Sequence, residues 1–402
     1  MRLFSYRSIQ ALLLTMTLFA LPVSNSLKSI FLVLSILSIL SQPGVLSLCL
    51  QVIRKPWCQA TLFLFTLLAL SACWGDADWK SKLGFINKYS KLLFLPILVI
   101  GFQNQRTRNI AIHAFLLAMS MTLILSVFKS LNWMMMNTDG DPGTVFLNRI
   151  DTGYYMAFSA FISALYSTKS QGYYRWGYAL LALLFSYQTF FINTGRTGYI
   201  AFAVLFILFI LFSVSWRKIP IYLLLLAPLV AITVYQSTTF THRIQDVIQD
   251  VRSLEVGQKD TSLGFRLEFQ HFAKKLFLSS PILGVGIAGY SWHFNQEQPV
   301  PSWQGKTFDP HNQYWLIAAE NGLVGLLFLL YFFMTLFYTC RQLNEMRPLV
   351  IALLVSFVVA SLIDSFLLLS SVGYLLIFFT AIGLGELTLD PNPTRDVTCS
   401  LS

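Results

Sequence analysis

Charge is scarce in this chain. Only 11% of its 402 residues are Asp, Glu, Lys or Arg, where a soluble domain carries about 25%. Hydrophobic residues make up 55%, and the mean hydropathy is +0.63. No soluble fold of this length hides so much apolar surface, so lipid must be the solvent. Acidic residues are rarer still, 18 against 28 basic ones, for a net charge of +10. The basic residues stand singly between apolar runs and not on one face, which argues against a nucleic-acid partner and for membrane topology. Cysteine is sparse. Cys49, Cys58, Cys73, Cys340 and Cys399 all lie outside the polar segment 237–312, so no structural disulfide is expected there. A His/Cys cluster and a complete P-loop motif are both missing, so the sequence suggests neither a metal nor a nucleotide cofactor.

What is present is a series of apolar runs. A helix needs about 20 apolar residues to cross a bilayer. Twelve candidates run near 8–24, 28–46, 58–74, 90–103, 109–129, 152–167, 174–192, 197–214, 219–236, 311–338, 347–367 and 369–386. Residues 1–26 pass for a signal peptide, but further spans follow at once, so this stretch is expected to stay as the first helix. With the N-terminus in the cytoplasm, thirteen of the 28 basic residues face inside, eight fall in short outside loops and seven in the long segment. Lys80, Lys82, Lys88 and Lys91, outside on this scheme, argue mildly against it. The expected organisation is residues 1–236 with nine spans, 237–312 as a periplasmic loop, 313–389 with three spans, and 390–402 as a disordered cytoplasmic tail. The long loop should hold two surface helices. In the second, Phe265, Phe269, Phe272 and Leu276 recur at helical spacing, a pattern suited to a helix lying at the membrane interface.

Three residues stand out chemically. His311 lies in Asp309-Pro310-His311-Asn312, where Asp309 suits an N-cap and Pro310 the first helical position. The ring is then expected in the first helical turn, kept neutral by the helix terminus and able to accept a proton. Ala318, Gly322 and Gly325 fall on the same side of the helical wheel, a stripe that lets another helix approach closely. The plain alternative is an interfacial histidine above packing glycines. Arg196, in Asn193-Thr194-Gly195-Arg196-Thr197-Gly198, suits a diphosphate at the membrane surface or, equally, a lipid headgroup. Arg266 is either a second anion ligand or the solvated edge of an amphipathic helix. Arg149 and the Lys88/Lys91 pair are weaker versions of the same choice. Asp364, at the end of the eleventh span, is an intramembrane acid or a wet one. Glu320 points away from the His311 face and is expected to be structural.

Together these segments resemble the O-antigen ligase family. The family's motif is His, then Asn, Ser or Gln, nine residues, Gly, two residues, and Gly, Thr or Tyr. Here it reads His311-Asn312, nine residues, Gly322, two residues, Gly325. The Arg196 and Arg266 segments look like the family's two arginine sites, and the Pro281–Gly286 turn is also similar. The resemblance covers most of residues 145–340. It implies an all-α integral membrane enzyme of GT-C-like class in a Gram-negative inner membrane. The donor would be an undecaprenyl-diphosphate-linked glycan and the acceptor the lipid A-core, with no metal or other cofactor. Arg196 and Arg266 would hold the diphosphate, with Arg149 as a further contact. His311 would deprotonate or orient the acceptor hydroxyl, and the anomeric carbon would invert.

Three rivals remain. A glycan polymerase or a protein O-oligosaccharyltransferase would use the same donor, although the complete histidine motif and the short stretch after Leu389 favour the ligase. A secondary transporter would show broken or charged helices near the midplane and symmetry between halves; the sequence suggests neither. The third rival is a non-catalytic scaffold, which would tolerate loss of Arg196, Arg266 and His311.

Overall fold

The structure is a computed structural model that describes residues 6–135, 140–213, 235–303, 305, 307–387 and 389. Among the described residues it is helical throughout and contains no strand. The first half comprises α1 (Tyr6–Ala20), α2 (Asn25–Leu40), α3 (Val45–Ile53), α4 (Pro56–Leu70), α5 (Trp79–Tyr89), α6 (Phe94–Gly101), α7 (Gln105–Ser130), α8 (Arg149–Lys169), α9 (Gly172–Tyr187) and α10 (Arg196–Ser213). After it come α11 (Thr238–Glu255), α12 (Ser262–Ser279), α13 (Gly289–Glu297), α14 (Gln313–Thr339), α15 (Arg347–Ala360) and α16 (Ser370–Leu384).

Five segments are both long and apolar enough to cross a membrane: Pro56–Cys73, Trp79–Gly101, Gln105–Ser130, Arg196–Ser213 and Gln313–Gln342. A sixth arises if α2 and α3, bent by 104°, count as one span. A helix lies at eleven of the twelve expected segments. The ninth, 219–236, falls almost wholly outside the described residues, as do Arg217, Lys218 and the tail after Leu389.

The centre of the bundle is α8. Every residue from Asp151 to Ser163 is buried, which marks a helix surrounded by others. It packs on α9, α10 and α16. Its crossing with α10 is closest at Gly153 and Gly198, where a Cβ on Gly198 would sit 2.9 Å from the Gly153 Cα. Two small residues here let two backbones touch.

Several expected loop lysines turn inward. Lys82 donates to the Gly75 carbonyl at 2.6 Å, and Lys28, Lys91 and Lys129 are buried. These lysines are structural, so they weigh less against the proposed orientation than the sequence suggests.

The long polar segment does contain two helices. α11 buries no residue, but α12 is not a helix floating on the membrane surface. Its Phe269, Phe272, Ala273 and Leu276 are buried, and it packs against α13 and α14. Phe269 meets Phe294, and Phe272 meets Tyr290 and Phe294, so protein covers the apolar stripe that was expected to meet lipid.

α14 is broken, against expectation. Gly322 has φ 61° and ψ −157°, a conformation open essentially to glycine alone. The Pro281–Gly286 turn enters the break. Val285 and Gly286 donate their amides to the Ala319 and Glu320 carbonyls at 2.9 and 2.8 Å, while Leu323 and Val324 donate to the Pro281 and Ile282 carbonyls. The turn thus takes up backbone groups that the break frees. A Cβ on Gly322 would lie 2.3 Å from the Ile282 carbonyl oxygen. Gly325 instead faces the Asn321 and Ile317 side chains of its own helix. The motif glycines therefore serve a threaded loop and local packing, not a seam between two helices.

Candidate active site

The site forms where α14 begins. Asn312, and not Asp309, is the N-cap, its Oδ1 accepting the Tyr314 and Trp315 amides at 3.0 and 3.1 Å. Asp309 accepts the His311 amide at 2.8 Å, which turns the chain one residue too early for His311 to enter the helix. His311 lies outside it with φ +50°, so it shares no wheel face with Gly322 and Gly325. A left-handed non-glycine residue is strained by about 1 kcal/mol or more, and such strain clusters at working sites.

Facing His311 is the segment between α15 and α16, residues 361–369. Nearly every residue of it is tied down. Ser361 O accepts the Gln313 amide, and Leu362 O accepts Asn312 Nδ2 at 2.9 Å. Arg266 Nη1 donates to Ile363 O at 3.1 Å. Ser365 donates its hydroxyl to Asp309, and Gln313 Oε1 accepts the Leu367 and Leu368 amides. Lys91 Nζ donates to the carbonyls of Leu367, Leu368 and Leu369, at 3.0, 3.4 and 2.7 Å. Lys91 is 1% exposed, so it is neither a headgroup anchor nor a surface phosphate contact. These bonds fix Asp364, whose side chain is 3% exposed.

Asp364 Oδ1 lies 3.3 Å from His311 Nδ1. Because a carboxylate only accepts, Nδ1 carries the proton and Nε2 keeps its lone pair. Burial pushes the His311 pKa down, but the Asp364 hydrogen bond and the charges of Asp309 and Asp364 outweigh burial and the opposing Arg266 charge, leaving it raised above 6.5. This reverses the sequence expectation of a helix terminus that disfavours the imidazolium; the ring sits outside the helix, between two acids. A neutral imidazole with one free nitrogen, oriented through the other, is what proton abstraction from a hydroxyl needs.

Asp309, His311 and Asp364 bring three ligand atoms within 4.8 Å of one another, a spacing that would hold a cation. Both inward oxygens already accept two donors each. Asp309 Oδ1 takes the His311 amide and the Ser365 hydroxyl, and Asp364 Oδ1 takes the Ser365 amide and the His311 ring. The cluster is a hydrogen-bonded acid–base unit through these two atoms, while Asp364 Oδ2 is buried without a hydrogen-bond partner among the described residues. Two Asp-x-Asp triplets, a pattern often tied to metals, are otherwise engaged. Asp78 caps α5 through Ser81, and Asp141 accepts the Gly143 amide and the Thr194 hydroxyl. Asp139 lies outside the described residues.

Arg266 stands beside His311. Arg196 is held elsewhere, 3.3 Å from Asp250 and 4.0 Å from Asp246 of α11. Among the described residues no hydrogen bond or ion pair joins it to His311. Arg149 is its neighbour, because Gly195 packs on the Arg149 carbonyl, where a Cβ would come within 2.4 Å. Asp151, two residues beyond Arg149, is buried, and the Tyr154 ring after it lies 5.2 Å from the Phe366 ring, which brings the start of α8 to the 361–369 segment. The structure thus gathers the expected residues at one end of the bundle, in two groups. Asp309, Asp151, Lys91 and Gln313 are the members that sequence reasoning missed or misread. Lone residues far apart in the chain gave no spacing signal; only the burial of lysine and acid in apolar runs hinted at them.

Glu320 is fully buried on α14, and neither of its carboxylate oxygens has a hydrogen-bond partner among the described residues.

Residues 179–330 match the family model described as O-antigen ligase. These residues belong to the O-antigen ligase family. The matched stretch contains Arg196, Arg266, His311, Gly322 and Gly325; Arg149, Lys91 and Asp364 lie outside it. No curated protein matches the chain. The match over these residues supports a glycan-transferring activity of ligase or polymerase type in membrane glycan assembly.

Proposed function

We propose that this protein is an O-antigen ligase, moving a glycan from undecaprenyl diphosphate to a sugar hydroxyl of lipid A-core. It works on the periplasmic face of a Gram-negative inner membrane, with twelve spans, both termini in the cytoplasm and a GT-C-like architecture. The observation that carries this reading is the His311–Asp364 pair, with Nε2 free and Arg266 alongside.

In the reaction, Nε2 of His311 takes the proton of the acceptor hydroxyl. The acceptor oxygen bonds to the anomeric carbon as the bond from that carbon to the diphosphate oxygen breaks. Attack from the far side inverts the centre. Asp364 stabilises the imidazolium that forms. Arg266, Arg196 and Arg149 supply positive charge to the departing diphosphate, and no step requires a metal. An apolar groove of about 570 Å³ between α8, α9 and α10 supports the lipid-linked donor. Ala157, Ala160, Ala164 and Phe206 are among its walls, and α10 begins at Arg196.

Besides the 104° bend between α2 and α3, the feature that favours a transporter is the break in α14. It is filled by the Pro281–Gly286 backbone, so the enzyme reading stands ahead. The test is a lipopolysaccharide gel from a ligase-null cell carrying this gene. The wild type should restore the long-chain ladder, and an equally expressed His311→Ala variant should not. A ladder from the variant as strong as the wild type's would refute the assignment. Failure of the wild type beside a compatible donor would move the polymerase reading ahead.

A further inference from the structure

A second cavity, of about 570 Å³, lies among loops beside α12. That is within the range of small-molecule sites, about 300–1,000 Å³. Gln258, Lys259, Asp260 and Thr261 of the α11–α12 turn form one wall, and Glu268 and Ser302 stand among the others. The turn is anchored. Thr261 caps α12 by accepting the Gly264 amide, and Gly264 lies so close under Lys259 that a Cβ would come within 2.2 Å of its carbonyl oxygen. Lys259 Nζ meets Glu268 Oε1 at 2.6 Å, linking the turn to α12.

The residue after Ser302 connects this cavity to the base. Trp303, 36% exposed, packs its ring on Phe265 and Phe269 at 5.1 and 5.3 Å. The Phe269 ring in turn lies 6.1 Å from the His311 ring at 25°. Two rings in succession, Trp303 and Phe269, therefore stand between Ser302 and the residue that takes the proton. The lining chemistry is selective. Two carboxylates against one ammonium repel a diphosphate, and walls shared between these polar groups and Pro299, Val300 and Pro301 form no continuous apolar surface for a polyprenyl tail. Carboxylate, ammonium, amide and hydroxyl groups beside an exposed indole are what hydrogen-bonds and stacks on a sugar.

We propose that this cavity is the saccharide subsite of the acceptor, holding its sugars so that the reacting hydroxyl reaches His311 Nε2 past Trp303. The inference rests on the glycosyl-transfer reading above. It is tested with the full chain in proteoliposomes, using rough lipopolysaccharide from a ligase-null cell as acceptor and extracted undecaprenyl-diphosphate glycan as donor. Ser302→Trp fills the cavity; Lys259→Ala and Glu268→Gln remove single contacts from a partly exposed pair and leave the fold intact. Losing a hydrogen bond to a charged group should raise the acceptor KM by about tenfold or more, with donor KM and saturated rate unchanged. An unchanged acceptor KM in all three variants overturns the proposal, as does an equal rise in donor KM.

A binding assay with the core oligosaccharide released from the same lipopolysaccharide needs no turnover. If the wild type binds it, the variants bind weakly, and no transfer occurs, the subsite survives and the ligase reading falls. If the wild type does not bind it, the subsite is wrong even where transfer is seen.

Discussion

The two groups of the proposed site hold their charges in opposite ways. At the start of α10, Arg196 is a partly exposed side chain shared between Asp246 and Asp250, with exposed Arg149 as its neighbour. At the start of α14, His311 faces a carboxylate that is 3% exposed, on a segment bonded to Arg266, Asn312, Gln313 and Lys91. The difference suits the work assigned to each. A diphosphate needs positive charge nearby, and a surface arginine that trades acidic partners for phosphate supplies it. Proton transfer needs a ring nitrogen placed within hydrogen-bond reach, and a loosely held ring loses rate steeply.

The sharpest way to break this comparison is to remove the base. His311→Ala should lower transfer by about 10²–10⁴-fold, the range for a positioned general base, read as initial rate with a saturating donor. A loss no larger than that of the Arg196 variants would erase the distinction. Next is the orienting acid. Asp364→Asn keeps the shape but can donate where Asp364 must accept, so transfer should fall, by up to about 10⁴-fold as for the orienting acid of a histidine base. Donor KM should hold.

Third, Lys91→Met keeps the stem and takes the Lys91 donor from the buried Leu367 and Leu368 carbonyls, while Leu369 O keeps the Gly373 amide. A buried acceptor left unsatisfied costs about 1–3 kcal/mol, so a lower melting temperature in detergent and a slower reaction should appear together. Smallest, Arg196→Lys keeps the charge but loses the planar fork, so donor KM should rise by about a few-fold, more at high salt. An equal penalty for Lys91→Met and Arg196→Lys on donor KM alone would show that both groups bind and neither is built for chemistry.

Much of this was legible in the chain. Apolar runs located the helices, because lipid demands long unbroken stretches, and the His311-to-Gly325 spacing pointed to the end of the bundle where His311 meets Asp364. What failed did so for physical reasons. Asp309 and Asn312 both suit an N-cap, and only the Asx turn from Asp309 to the His311 amide decides that the helix waits for Asn312. That one-residue change removes His311 from the helical wheel and from the helix terminus, and so reverses its expected pKa shift. Gly322 suggested helix packing, because a glycine that breaks a helix and one that packs it look alike until the intruding Pro281–Gly286 turn is seen. The α12 stripe suggested lipid because an apolar face does not say what covers it. Lys91 and Gln313 act through backbone carbonyls and amides more than 50 residues away, and no local pattern encodes such partners.

The His311–Asp364 unit also fixes the pH behaviour. The base works only when neutral, so activity should fall as pH drops through the raised His311 pKa, placing the acid limb above 6.5. The ion pair contributes stability in the opposite sense. That contribution is fully present below 6.5 and lost as pH rises through the raised value, so the melting temperature should decline slightly over the same window and not in a His311→Gln variant.

The most direct test is the pH dependence of kcat/KM for transfer by the purified protein and its Asp364→Asn variant. The expected result is a wild-type acid limb above 6.5 that moves to lower pH when the Asp364 charge is removed. A limb that stays in place, or a rate that does not fall with acid at all, would contradict a base poised by Asp364.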